Sequence, residues 1–106
     1  MTTASVPREL LNAVVEYFRP LRVILFGSAA RGDAGPDSDI DLLVILEDSA
    51  PPQHLTLAAG YQSRRSYHRA ADVIPCRASV FTRKSRIAGT LAYTAAREGE
   101  IVYERG

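Results

Sequence analysis

The sequence is poorest in cysteine. Cys76 stands alone among 106 residues, so no intrachain disulfide can form and a zinc cluster is excluded on ligand count. No apolar run approaches the ~20 residues that cross a bilayer, and the first eighteen residues lack the basic start and unbroken apolar stretch of a secretory leader. A cytoplasmic protein with no membrane contact is expected. Internal repeats, linkers and low-complexity tracts are also missing. What remains is 46% hydrophobic, enough for a modest core but too short for a large separate substrate domain. Residues 1–106 are therefore expected to form a single domain.

The net charge of +1 says little, but its distribution says more. Six of the twelve acids fall within residues 33–48, whereas seven of the thirteen basic residues fall within 64–86, where Asp72 is the only acid. A cation-hungry segment beside cationic surroundings suits an anionic substrate. For any single arginine the ordinary reading is a solvated surface. Only Tyr61 and Tyr67 interleave with this basic stretch and no nucleic-acid motif is present, so direct nucleic-acid binding is not expected.

Hydrophobic spacing outlines the elements. Leu10, Leu11, Val14, Val15 and Phe18 recur at helical period after Ser5-Val6-Pro7, and Pro20 ends that helix. Residues 21–26 read as a short strand stopped by Gly27, and residues 28–31 as a helical turn. Residues 32–37 form a turn around Gly35-Pro36. Residues 39–46 are apolar on both faces beyond their acids, which marks a central strand covered on both sides. A weak helix is expected over residues 54–69, interrupted at Gly60. A third strand over 72–81 contains Pro75, a sign of an irregularity or an edge. A helix over 87–98 stopped by a left-handed Gly99 and a last strand over 101–103 complete the chain.

Chemistry concentrates in residues 27–46. Asp39 and Asp41 are two apart at the start of a strand, so their side chains share a face with α-carbons roughly 6–7 Å apart. Like charges that close repel. A divalent cation between them converts repulsion into binding, as Mg²⁺ is held by one or two carboxylates plus substrate phosphates. An aspartate turn capping the strand would account for Asp39 but not for Asp41. Asp72 precedes an apolar pair and could begin a neighbouring strand that brings it into the same pocket; otherwise it is a loop aspartate ending the preceding helix. Gly27 permits close backbone approach and Ser28 offers a hydroxyl and an amide to phosphate oxygens. Arg31 either clamps phosphate or covers the surface. His54 and His68 are isolated, which favours surface or partner-facing roles over metal ligation, and Tyr93 reads as core or interface.

Gly27-Ser28, Arg31-Gly32 and Ser38-Asp39-Ile40-Asp41, followed by an apolar strand, resemble the signature of the nucleotidyltransferase superfamily that includes DNA polymerase β. The short length resembles its minimal nucleotidyltransferase branch, whose members often pair with a HEPN-domain protein. The resemblance implies an α/β (α+β) fold: a small mixed sheet packed with helices, like the polymerase β palm. It implies a catalytic triad of Asp39, Asp41 and Asp72 holding two Mg²⁺ ions, with Gly27, Ser28, Arg31 and Ser38 at the nucleotide. The implied reaction moves a nucleotidyl group, AMP from ATP, to a hydroxyl. The implied acceptor is a tyrosine of a separate HEPN-domain toxin, which makes this chain an antitoxin.

Two alternatives remain open at this level. The same fold could neutralise its partner by binding alone, although a decayed enzyme has no need to keep two repelling carboxylates. A transferase acting on a small molecule such as an aminoglycoside would need an acceptor-binding domain, which a homo-oligomer could build.

Overall fold

The computed structural model describes residues 6–27 and 40–105. Among these, four strands form one mixed sheet: β1 (Arg22–Phe26), β2 (Ile40–Leu46), β3 (Ala71–Arg77) and β4 (Glu100–Glu104), in the order β3-β2-β1-β4. β1 runs antiparallel to both of its neighbours, whereas β2 and β3 are parallel. A parallel pair needs a crossover connection. It is supplied by the 3-10 turn Pro52–Leu55 and helix α2 (Leu57–Ser63).

The central position expected of β2 is observed, and alternation divides its side chains between two cores. Leu42, Val44 and Leu46 join Val23 and Leu25 of β1 under helix α1 (Arg8–Phe18) and Ala59 of α2. Leu43 and Ile45 join Ile24 and Phe26 under α3 (Ala78–Lys84) and α4 (Leu91–Glu98). Helix α1 buries Leu10, Val14 and Phe18, spaced four residues apart on one face. It ends at Arg19, whose left-handed φ of 50° lets its amide return to Val15 O at 2.8 Å. Pro20 disfavours helical backbone at the residue before it, so the stop is local.

Several boundaries differ from the sequence expectation, each for a physical reason. The segment 54–69 is a 3-10 turn followed by a short helix, not one helix. Thr56 begins α2 by accepting the Ala59 amide at 3.0 Å. Gly60 does not interrupt this helix but lies inside it, where a β-carbon would stand 2.0 Å from Val73 O. The absent side chain lets α2 lie directly on β3.

The strand expected over 72–81 stops at Arg77, and the chain turns into α3. Arg77 Nε donates to Asp48 O and its Nη2 to Ala50 O, each at 3.0 Å. Asp48 Oδ1 accepts the Ser79 amide at 2.9 Å, satisfying a first-turn donor of α3 from a distant loop. Helix α4 begins at Leu91 rather than 87 because Thr90 caps it, accepting the Tyr93 amide at 3.1 Å. Gly99 is not left-handed (φ −82°); a β-carbon there would meet Ile24 Cγ2 at 2.5 Å, so close packing explains the glycine. Pro75 does sit in an edge strand, β3. No helix among the described residues is long and apolar enough to cross a membrane.

Cys76 lies half-buried in β3 beside the second core. Burial pushes its thiol from 9.0 up to about 11, with Lys84 opposing weakly. A thiol reagent at pH 8 is therefore expected to label the native protein about a hundredfold more slowly than the urea-unfolded chain, following the thiolate fraction. Equal rates would contradict this burial.

Candidate active site

Strand register assembles the candidate site. Phe26 pairs with Asp41 across β1–β2, and Asp41 pairs with Asp72 across β2–β3. Adjacent strands lie ~4.8 Å apart, so the two aspartates are immediate cross-strand neighbours. Alternation puts Asp41 on the face of Leu43 and Ile45, and Asp72 on the face of Ile74 and Cys76; all four apolar residues belong to the core under α3 and α4. Both carboxylates thus stand on one face, at the starts of parallel strands, where antiparallel β1 ends.

Gly27 follows β1 at this end. Its φ of +83° is left-handed, and a β-carbon there would lie 2.5 Å from Asp41 Oδ2. The Asp41 carboxylate is therefore seated against the bare α-carbon of Gly27. Glycine is required twice, for backbone conformation and for space. A Gly27→Ala substitution is expected to lose ~1–2 kcal/mol from the left-handed conformation alone and to displace Asp41. Thermal melting and any activity assigned to Asp41 should fall together, and an unchanged melting temperature would contradict the constraint.

Asp41 is partly buried, whereas Asp72 is exposed. Paired directly across two strands, the carboxylates repel each other unless a cation intervenes. Their hard oxygen donors fit Mg²⁺, which takes one or two protein carboxylates and fills its remaining positions with water and phosphate. Among the described residues there is no group of three or more His, Cys, Asp or Glu side chains placed to hold a metal. Ser28, Arg31, Ser38 and Asp39 lie outside the described residues, as do the expected turns over 28–37. Of the expected site residues, then, Gly27, Asp41 and Asp72 are the ones brought together.

Other side chains singled out by the sequence have different surroundings. His54 packs its ring near those of Tyr17 and Phe18, at 5.6 and 6.0 Å between centroids, and His68 is exposed. Tyr93 is half-buried on α4 with the Arg97 guanidinium 5.3 Å from its ring centroid. Arg64 is not simply solvated surface. Its Nη2 donates to Tyr67 O at 3.2 Å and to Arg69 O at 2.5 Å, closing the turn that leads into β3.

Residues 7–91 match the family model of the nucleotidyltransferase domain. In structure the chain is similar to a crystal structure of a protein assigned as a nucleotidyltransferase from Sulfolobus solfataricus. That likeness has a TM-score of 0.57 and 22% identity, and covers 97% of this chain and 78% of the other. The chain is also similar to a component of a toxin–antitoxin structure with AMP-PNP, with a TM-score of 0.61 and 13% identity, covering 94% of this chain and 75% of that one. At these identities the likeness establishes the fold. No curated protein matches the sequence.

Proposed function

This chain belongs to the nucleotidyltransferase domain family, and on that footing we propose that it transfers AMP from Mg²⁺-bound ATP to a tyrosine hydroxyl of a HEPN-domain toxin, acting as its antitoxin. The observation that carries the reading is the register of Asp41 on Asp72, with the Asp41 carboxylate seated against Gly27. The likeness to a toxin–antitoxin structure with AMP-PNP supports the nucleotide and the partner class.

In this reading Asp39 and Asp41 hold the cation, joined by Asp72. Gly27, Ser28, Arg31 and Ser38 receive the triphosphate. Two bound Mg²⁺ ions supply charge neutralisation for the attacking and leaving oxygens of an in-line displacement. The acceptor oxygen attacks the α-phosphorus, and Asp72 takes its proton. The bond from the α-phosphorus to the bridging oxygen breaks, and pyrophosphate leaves with that electron pair. Asp72 suits the base role because it is the exposed member of the pair, on an edge strand that an acceptor can reach.

Mass spectrometry of a HEPN-domain partner incubated with this chain, ATP and Mg²⁺ tests the proposal. One added AMP on a tyrosine is the expected outcome. An unmodified partner that is nonetheless bound and silenced would replace it with neutralisation by binding alone.

A further inference from the structure

The last turn of α3 and the turn that follows it carry a cationic surface distinct from the carboxylate pair. Residues 73–97 contain five arginines and lysines and no Asp or Glu. Arg77 is spent on the carbonyls of Asp48 and Ala50, and Arg97 lies over Tyr93. Arg83, Lys84 and Arg86 are exposed and form no ion pair among the described residues. The Arg86 amide donates to Arg83 O at 3.4 Å and the Ile87 amide to Lys84 O at 2.9 Å. Bonds three residues apart stack side chains i and i+3, so Arg83 stands over Arg86 and Lys84 over Ile87. The Thr90 hydroxyl locks the turn, 2.8 Å from Lys84 O and 2.9 Å from Ile87 O. Ile87 and Leu91 are each 49% exposed. Cations in a last turn complement the helix dipole, but that accounts for neither Arg86 nor the two exposed aliphatic side chains.

We propose that this surface docks an acidic, leucine-bearing segment of a partner protein, whose carboxylates meet Arg83, Lys84 and Arg86 and whose apolar side chains cover Ile87 and Leu91. Three uncompensated cations select an anionic partner, and the hydrogen-bonded backbone beneath them limits the ordering cost of binding. A nucleic acid fits less well. Its phosphates would satisfy the cations, but Ile87 and Leu91 offer its bases no aromatic ring to stack on. Helices α3 and α4 cover the face of the sheet on which Asp41 and Asp72 stand, so a partner held here lies on the carboxylates' side. Cys76, which feels the Lys84 charge, is four residues beyond Asp72 on that face, about 13 Å along β3. The inference goes beyond the transferase reading: it concerns what holds a partner, not what is transferred to it.

The test uses the full chain and two labelled probes: a helix-forming peptide with leucines on one face and glutamates on the other, and a single-stranded oligouridylate. Binding of each, and of Mg·ATP, is measured at low and high salt for wild type, Arg83→Glu/Arg86→Glu and Ile87→Ser. Arg8→Glu/Arg65→Glu is the control, an equal change of charge at exposed arginines elsewhere. All five side chains are exposed, so the variants should stay folded, which melting curves verify. The peptide should bind wild type, weaken with salt, and lose about tenfold or more in affinity in each of the two surface variants. The control should lose about threefold at most, the screened effect of distant charge. A peptide that fails to bind wild type, or that loses as much in the control as in Arg83→Glu/Arg86→Glu, would overturn the proposal. An oligouridylate that binds more tightly than the peptide and depends on the same residues would also overturn it. Failure of wild type to bind Mg·ATP would instead remove the transferase reading and leave the docking surface standing.

Discussion

Asp41→Asn is expected to lower nucleotidyl transfer by ~10³-fold or more, about 4 kcal/mol of transition-state stabilisation, comparable to removing a dominant electrostatic contact. The change is nearly isosteric, so the amide still fits against Gly27, where the carboxylate Oδ2 lies 2.5 Å from the position of a β-carbon. What disappears is one negative charge. Asp41 is paired across the strands with Asp72, and relief of that repulsion offsets the loss of other contacts by ~0.2–1 kcal/mol. The melting temperature in metal-free buffer should therefore stay within roughly 8 °C of wild type, the shift that ~1 kcal/mol produces in a chain of this size. A variant that loses activity because it unfolds would show the opposite, a large drop in melting temperature alongside the loss of transfer.

Gly60→Ala should destabilise the fold through a single added methyl group. Helix propensity alone favours alanine by ~1 kcal/mol. The added β-carbon, however, would stand 2.0 Å from Val73 O, a backbone atom in β3 that cannot swing aside. Either α2 lifts from the sheet or β3 shifts, and overpacking of this kind costs up to ~3 kcal/mol. The clash outweighs the propensity gain, leaving a net loss of ~2 kcal/mol and a fall in melting temperature of roughly 8–16 °C for a chain of this size. Val73 directly follows Asp72, so the displacement also reaches the carboxylate pair. A melting temperature equal to or above wild type would mean that α2 does not rest on β3 as described.

The parts of this fold legible in the sequence are those set by local pattern. The unbroken apolar stretch of β2 announced a strand buried on both faces, and Pro75 pointed to an irregularity or an edge, of which the structure shows the edge. An aspartate at the start of each of two apolar segments was enough to suggest that Asp41 and Asp72 would meet, because parallel strands in register bring their starts together. What stayed hidden depends on contacts far apart along the chain. Nothing local says that β3 must stop at Arg77. The reasons are carbonyls at Asp48 and Ala50, and the Asp48 side chain that accepts the Ser79 amide. Gly60 and Gly99 both read as breaks in a pattern, yet each marks a place where one element presses on another's backbone or side chain. The exposure of Leu57 and Tyr61 was obscured for a related reason. Apolar residues four apart on a helix suggest a buried face, and only the packing of α2 through Ala59 and Gly60 turns that pair outward.

The central claim is that the Asp41–Asp72 pair serves transfer of a nucleotidyl group. It is tested most directly by incubating the chain, Mg²⁺ and a partner protein with ATP labelled at either the α- or the γ-phosphorus, using wild type, Asp41→Asn and Asp72→Asn. The account predicts acid-stable label on the partner from α-labelled ATP with wild type, none from γ-labelled ATP, and none from either aspartate variant. Transfer at the wild-type rate by Asp41→Asn or Asp72→Asn would contradict it.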